Sequence, residues 1–326
     1  MTDAAGDLGS LDSPIAVTTH PAGGPETQTA APGKADVAHS LGRDAWEELR
    51  RRPMFWISLA LILVFVVMAA FPRLFTATDP NFADLAKARE APSGDAWFGR
   101  DGQGYDVYAR TIHGARASIL VGIFATLFTL LVGSFIGIIS GYRGGWLDAV
   151  LSRIGEIFLG LPLLLGGILF LYTFPSDLDT PFLAVVGKVA IVLGLLGWPS
   201  IARLMRSSVL QVKPNDYVQA ARALGASPSR IIVSHILPNS VASVIVVSTI
   251  NLGAYISVEA TLSFLGIGLQ APAISWGIAI SEASGIGLIR AAPHMLLFPS
   301  LFLSLTVLAF IMLGDTVRDA LDPKMR

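Results

Sequence analysis

Residues 117–140 read ASILVGIFATLFTLLVGSFIGIIS, an apolar run of 24 residues that contains no charged side chain. A helix needs about 20 such residues to cross the roughly 30 Å hydrocarbon core of a bilayer. The run therefore predicts a transmembrane helix. Gly133 and Gly137, with Gly141 directly after the run, are each spaced by four residues and share one helix face. This face predicts close packing against a neighbouring helix.

Five more stretches on either side of this run are long and apolar enough to span a membrane. They cover residues 54–74, 154–174, 182–202, 241–268 and 294–314, and Pro162 interrupts the second of them. The chain of 326 residues is 53% hydrophobic and 14% charged, whereas soluble proteins carry about 25% charged residues. We therefore predict an all-α membrane protein with about six transmembrane helices.

Composition excludes several kinds of function. The chain has no cysteine, so disulfides and thiolate chemistry are excluded, and its five histidines lack metal-ligand spacing. A net charge of −1 gives no support for nucleic-acid binding. The nearest match to a phosphate-binding loop, GKA at residues 33–35, lacks the hydroxyl residue that such a loop requires. Asp315, Asp319 and Asp322 cluster at a helix end, where solvated charges are common. We therefore expect no catalytic, cofactor or metal site on this chain.

The first 45 residues differ in composition from the rest of the chain. They are rich in Ala, Gly, Pro, Thr and Asp, which predicts a disordered cytoplasmic tail at 1–45 and a transmembrane domain at 46–326. If the N-terminus is cytoplasmic, 15 Lys and Arg residues fall in cytoplasmic segments and 7 in extracytoplasmic ones. Because cytoplasmic loops carry the excess of these residues, both termini are predicted to be cytoplasmic and the 75–116 loop extracytoplasmic.

The segment at 203–240, between the fourth and fifth predicted helices, is too long for a simple hairpin and is predicted to be cytoplasmic. Asn215 or Asp216 can cap the start of a short helix. Gly225 predicts its end, because glycine readily adopts the left-handed conformation that stops a helix.

A second short helix follows in the same segment. Ser227 and Pro228 are typical of a helix start, and Pro238 predicts its end or a kink. Together the two helices predict an elbow on the cytoplasmic membrane face. An ordinary amphipathic interfacial loop is the alternative interpretation.

At this elbow the sequence resembles the permease subunits of bacterial ABC importers. The family motif is Glu-Ala-Ala, three residues, Gly, nine residues and Ile-x-Leu-Pro, and the same spacing occurs at QAA 219–221, Gly225 and Leu237-Pro238. Gln219 replaces the usual glutamate, and His235 stands where isoleucine is common. The resemblance implies that the elbow is the coupling helix that docks into an ATPase subunit. The residues implied in this contact are Gln219, Ala220, Ala221, Leu224, Gly225 and Ala226.

Three further stretches resemble the C-type subunit of dipeptide and oligopeptide permeases. The first begins with FGRD at 98–101, and Arg100 and Tyr105 depart from its usual pattern. The second contains LSFLGIG at 262–268 and SWG at 275–277, and the third contains LGD at 313–315 and RDALDP at 318–323. The resemblance covers roughly residues 40–326.

The resemblance implies a pore-forming subunit of an ATP-driven importer of dipeptides or oligopeptides, spanning a prokaryotic cell membrane several times. It implies these partners: a second, homologous permease subunit; two ATP-binding subunits that hold ATP and Mg²⁺; an extracytoplasmic substrate-binding protein; the peptide; and membrane lipid. Nickel, haem and other small solutes stay open as cargo, because they enter through the same permease type. An ion-gradient-driven transporter is the rival class, and it would predict an internal repeat and ionisable relays in the membrane. A non-transport scaffold or an intramembrane enzyme would not need the elbow.

Charges inside predicted spans are costly and often functional. Glu259 lies near the outer end of the fifth span, where it is either an interfacial or helix-paired glutamate or a residue of the translocation pathway. Lys188 lies close enough to the end of its span to reach the interface with its flexible chain. Glu156 lies so near the cytoplasmic end that solvation is expected.

Overall fold

The computed structural model describes residues 41–177 and 179–321, with side chains from residue 46 onward. The predicted tail at 1–45 lies outside the described residues up to residue 40, and residues 41–45 form the start of a helix. Twelve α-helices occur in the described part of the chain. They are α1 (Leu41–Arg51), α2 (Pro53–Ala70), α3 (Val107–Arg143), α4 (Gly145–Leu159), α5 (Leu163–Thr173), α6 (Phe182–Val212), α7 (Asp216–Ala223), α8 (Pro228–Ile231), α9 (Leu237–Phe264), α10 (Trp276–Ala283), α11 (Ile286–Ala291) and α12 (His294–Leu321).

Five helical segments are long and apolar enough to cross a bilayer, which confirms five of the predicted spans. They are α2, α3, α6, α12 and the continuous segment Pro228–Phe264, which includes α8 and α9. The predicted span at 154–174 is instead a pair of helices, α4 and α5, that meet at an angle of 82°. Pro162 causes the break, because proline has no N–H to continue the hydrogen-bond ladder and restricts the residue before it.

Contacts between helix ends define two faces of the bundle. Arg52 Nη1 lies 2.9 Å from Asp319 Oδ2, so α2 begins beside the end of α12. Lys213 Nζ donates a hydrogen bond of 2.7 Å to the carbonyl of Tyr142, which places the ends of α3 and α6 together on the same side as the elbow. We call this side the elbow face. The opposite side, the loop face, carries the segment 71–106.

The glycines of α3 pack directly against a neighbouring helix, as predicted, and the structure identifies this helix as α6. A Cβ atom built at Gly133 would lie 2.7 Å from the carbonyl oxygen of Trp198, and one at Gly137 would lie 2.5 Å from that of Ala202. Real Cβ atoms do not approach other atoms so closely, so only glycine permits this contact. The two helix backbones therefore touch along the elbow-side half of α3.

The loop face is ordered by the motif that begins at Phe98. Asp101 Oδ2 accepts a 2.9 Å hydrogen bond from Arg110 Nη1, and its Oδ1 accepts from the backbone N–H of Tyr105 at 3.0 Å. Asp106 caps α3, since its Oδ1 accepts from the backbone of Ala109 at 2.9 Å. This cap starts α3 at Val107, so the last ten residues of the predicted extracytoplasmic segment at 75–116 are helical.

Both ends of the predicted cytoplasmic segment at 203–240 belong to the long helices that flank it. Its first ten residues, 203–212, are the last turns of α6, and α9 begins at Leu237. Pro238 lies in the first turn of α9 and does not end the helix that starts at Pro228. A π-helical turn at Ile232–Ile236 precedes it, which loosens the ladder where proline cannot donate a hydrogen bond.

Candidate functional site

The elbow consists of α7, a glycine turn and α8, and its turn has the predicted conformation. Gly225 has a φ of +81°, in the left-handed region. Its N–H donates to the carbonyl of Arg222 at 3.0 Å, and the N–H of Ala226 donates to the carbonyl of Ala221 at 3.1 Å. This pair of hydrogen bonds is a Schellman motif, which satisfies carbonyls that the end of α7 would otherwise leave free.

The two helix starts differ in how they are capped. Ser227 caps α8 as predicted, because its side chain accepts a hydrogen bond from the N–H of Arg230. Asn215 occupies the capping position of α7, but its side chain makes no capping hydrogen bond and its Nδ2 instead donates to the hydroxyl of Tyr217 at 3.2 Å. The predicted side-chain cap is therefore absent, and the backbone carbonyl of Asn215 accepts the first helical hydrogen bonds, from the N–H groups of Val218 and Gln219.

The inner side of the elbow is anchored in the bundle by apolar packing. One buried cluster joins the elbow to the ends of the long helices α6 and α9. Its fully buried members are Ile201, Met205, Val209, Val218, Ile231, Ile236 and Val244. Because such a cluster resists separation, a force on the elbow is passed to the last turns of α6.

The outer side of the elbow presents an exposed apolar tip. Leu224, at the end of α7, is 89% exposed, and Gly225 has no atom within 4 Å of the space that a Cβ would fill. Ala220 is exposed, while Ala221 and Ala226 are half-buried against the elbow itself. An exposed leucine beside small residues is a shape that another protein can cover.

Gln219 is also exposed, and its amide makes a bond that a glutamate could not make. Its Nε2 donates a 2.9 Å hydrogen bond to the carbonyl of Lys213, which ties α7 to the end of α6. A carboxylate at this position could only accept hydrogen bonds. Glutamine in place of the usual glutamate thus adds a hydrogen bond between α7 and the end of α6.

Glu259 lies away from the elbow, near the loop face, and is completely buried. Its Oε1 accepts a 2.7 Å hydrogen bond from Ser263, whose Oγ also accepts from the N–H of Leu269 at 2.9 Å. The side chains of Ser118 and Ser275 adjoin the same carboxyl group. The structure therefore encloses Glu259 between α3, α9 and the start of α10.

Lys188 and Glu156, two further charges in the predicted spans, both make polar contacts near helix ends. Lys188 Nζ donates a 2.8 Å hydrogen bond to the carbonyl of Phe174 at the end of α5. Glu156 forms an exposed ion pair of 2.9 Å with Arg153. In the described ranges, no group of three or more His, Asp and Glu residues could hold a metal ion.

One strong interaction was not predicted. Asp148, at the start of α4, forms a two-point ion pair with Arg206 of α6, with oxygen–nitrogen distances of 2.6 and 2.7 Å. Both residues are charges at the ends of apolar stretches, which is the only signal that the sequence offers. Nothing local connects them, because 58 residues separate them in the chain.

Comparison with known proteins places these features in context. Residues 133–326 match the family model described as "Binding-protein-dependent transport system inner membrane component". Residues 40–92 match the model "N-terminal TM domain of oligopeptide transport permease C". A chain from a structure of inward-facing conformations of the MetNI methionine ABC transporter superposes with a TM-score of 0.52 at 20% identity, covering 65% of this chain and 96% of that chain. That likeness supports the fold alone.

Curated relatives are similar over nearly the whole chain. The oligopeptide transport system permease protein OppC of Bacillus subtilis is 39% identical over 88% of this chain and 91% of its own length. The dipeptide transport system permease protein DppC of Alkalihalophilus pseudofirmus is 36% identical over 93% of this chain and 96% of its own length. The glutathione transport system permease protein GsiD of Escherichia coli O6:K15:H31 is 35% identical over 90% and 94%, respectively.

Proposed function

The chain belongs to the family of binding-protein-dependent transport system inner membrane components, and we propose from this that it forms part of the pore of an ATP-driven importer of small peptides. It is a multi-pass permease whose family is not itself catalytic. The elbow carries the proposal, because a transporter of this kind must receive the work of ATP hydrolysis from another chain.

The proposed partners follow from this role. A second, homologous permease subunit completes the pore, and two ATP-binding subunits hold ATP and Mg²⁺ and dock on the elbow face. A substrate-binding protein delivers cargo to the loop face. With the elbow and both termini in the cytoplasm, the exposed tip at Leu224 and Gly225 reaches the ATP-binding subunits. Gln219, Ala220, Ala221 and Ala226 complete the docking surface.

The cargo is proposed to be a peptide of a few residues. Permeases named for oligopeptides, dipeptides and glutathione are all 35–39% identical to this chain, and all three cargoes contain amide-linked amino acids. Nickel, haem or another small solute is the alternative cargo.

A reconstitution experiment tests class and cargo together. The complete complex is placed in proteoliposomes with its binding protein, and uptake of radiolabelled dipeptide, pentapeptide, glutathione, Ni²⁺ and haem is measured. We expect uptake of at least one peptide that requires ATP and survives a protonophore. Uptake abolished by the protonophore with ATP present would indicate an ion-gradient-driven transporter. Uptake of Ni²⁺ or haem without any peptide would contradict the proposed cargo.

For Glu259 we propose a pathway role that depends on movement. Because the carboxyl group is enclosed, it meets cargo only when α10 and the loop at 265–275 move away from α9. Its contact with Ser263 and its position beside Ser275 tie it to both sides of that joint.

A further inference from the structure

Helix α4 is bounded by a joint at each end, a glycine pair on one side and a proline break on the other. Gly144 and Gly145 connect it to α3, both with positive φ (+66° and +63°), and no atom lies within 4 Å of the Cβ position of either. At its other end, the break at Gly160–Pro162 turns the chain by 82° into α5. The glycine pair and the proline break leave the angle of α4 to be set by its contacts with neighbouring helices.

One of these contacts is the ion pair between Asp148 and Arg206. Arg206 Nε lies 2.6 Å from Asp148 Oδ1, and Nη2 lies 2.7 Å from Oδ2. Ser140 of α3 and Ser152 of α4 direct their hydroxyl groups to the same Oδ1 atom. A planar guanidinium held at two points fixes orientation as well as distance, so this pair sets the angle between α4 and α6.

Beside the ion pair, a cavity of about 340 Å³ lies between α3, α4 and α6. Its walls include Leu151, Gly155 and Leu159 of α4 and Trp198, Pro199 and Ala202 of α6. Phe158 of α4 packs edge-to-face on Trp198 of α6, and the empty space beside this contact leaves room for α4 to change its angle.

Arg206 lies in the part of α6 that packs against the elbow. Its neighbours Met205 and Val209 belong to the buried cluster that contains Val218 of α7 and Ile231 of α8. The residues of α6 that contact the elbow therefore lie within one helical turn of Arg206, so a displacement of the elbow would move Arg206 as well.

We propose that Asp148 and Arg206 are positioning residues that carry the movement of the elbow into α4, and through the joint at Gly160–Pro162 into α5. The inference rests on the proposed coupling function of the elbow. The ion pair thus converts a shift of α6 at the elbow face into a change in the angle of α4, the first helix of the broken pair α4–α5.

The experiment uses the assembled complex with its binding protein in proteoliposomes. Basal ATP hydrolysis, ligand-stimulated ATP hydrolysis and peptide uptake are measured for Asp148→Asn, Arg206→Gln and Arg206→Lys. We expect basal hydrolysis within twofold of wild type, but at least a fivefold loss of stimulation and uptake for the first two variants. Arg206→Lys keeps the charge without the two-point geometry, so its stimulation should fall between theirs and that of wild type. Glu156→Gln, which breaks the exposed pair with Arg153 on the same helix, is the matched control and should behave as wild type.

Two results would overturn the inference. One is stimulation within twofold of wild type in both Asp148→Asn and Arg206→Gln. The other is a loss of uptake that only matches a loss of assembled complex, with uptake per hydrolysed ATP unchanged. Gly225→Asp, assayed in parallel, separates this inference from the proposed function. If Gly225→Asp uncouples while the ion-pair variants do not, only the role of the ion pair fails; if Gly225→Asp transports normally, the coupling role of the elbow fails.

Discussion

Substitution of Gly225 tests whether the elbow is the coupling element, because its local cost can be derived from the structure. Its φ of +81° is one that L-residues adopt at a cost of about 1–2 kcal/mol, with Asn and Asp at the low end. No atom lies within 4 Å of its Cβ position, so a side chain adds strain but no clash within this chain. Strain alone therefore weakens docking by about 5- to 30-fold at most.

Gly225→Asp adds a second penalty. If the elbow tip is buried in an ATP-binding subunit, an unpaired carboxylate there costs several kcal/mol, which corresponds to a loss of docking of more than 100-fold. Gly225→Asn has the same shape and similar strain without the charge, so it isolates the electrostatic part. We expect Gly225→Asn to retain partial coupling and Gly225→Asp to abolish peptide uptake, with the helices inserted and the permease pair assembled.

The assay compares co-purification of the ATP-binding subunits, ligand-stimulated ATP hydrolysis and peptide uptake in proteoliposomes. Ser229→Asp, an exposed position on α8, is the control and should be close to wild type. Normal uptake by Gly225→Asp in a fully assembled complex would refute the coupling role of the elbow. Equal loss of activity in Gly225→Asn and Gly225→Asp would refute the electrostatic part of the reasoning.

Three further predictions concern packing, orientation and the buried glutamate. Gly137→Leu should lower the free energy of unfolding in detergent by about 1–3 kcal/mol or more and should impair assembly with the partner subunits, because its Cβ would lie 2.5 Å from the carbonyl oxygen of Ala202. An unchanged melting temperature would contradict this prediction. Ser227→Cys, in a chain that otherwise lacks cysteine, should react with a membrane-impermeant maleimide only in opened cells, and labelling of intact cells would reverse the proposed orientation. Glu259→Gln should keep the acceptor for Ser263 and melt close to wild type, whereas Glu259→Leu should lose about 1–3 kcal/mol by leaving that hydroxyl without its acceptor; equal melting temperatures for the two would argue against the hydrogen-bonding role.

Features with a local cause were predictable from the sequence. Apolar runs of sufficient length located five membrane-crossing segments, since transfer into hydrocarbon depends on each segment by itself. Gly225 predicted the left-handed turn, and the glycine spacing in α3 predicted a close helix contact, because both features depend on the absence of a side chain on glycine. The length of α3 was underestimated, since the cap at Asp106 lies outside the apolar run.

Features with a partner distant in the chain required the tertiary structure. The glycine face of α3 does not reveal that α6 covers it, and Pro162 predicts an interruption but not the angle of 82°. Glu259 was placed correctly near one end of its helix, yet its complete burial results from α3 and α10, which pack over it. Asp148 and Arg206 look like ordinary charges at helix ends until folding brings them together across 58 residues. Propensity, apolarity and backbone freedom act over a few residues and can be derived from the sequence, whereas ion pairs, cavities and helix angles depend on which surfaces meet in space, and only the folded chain determines that.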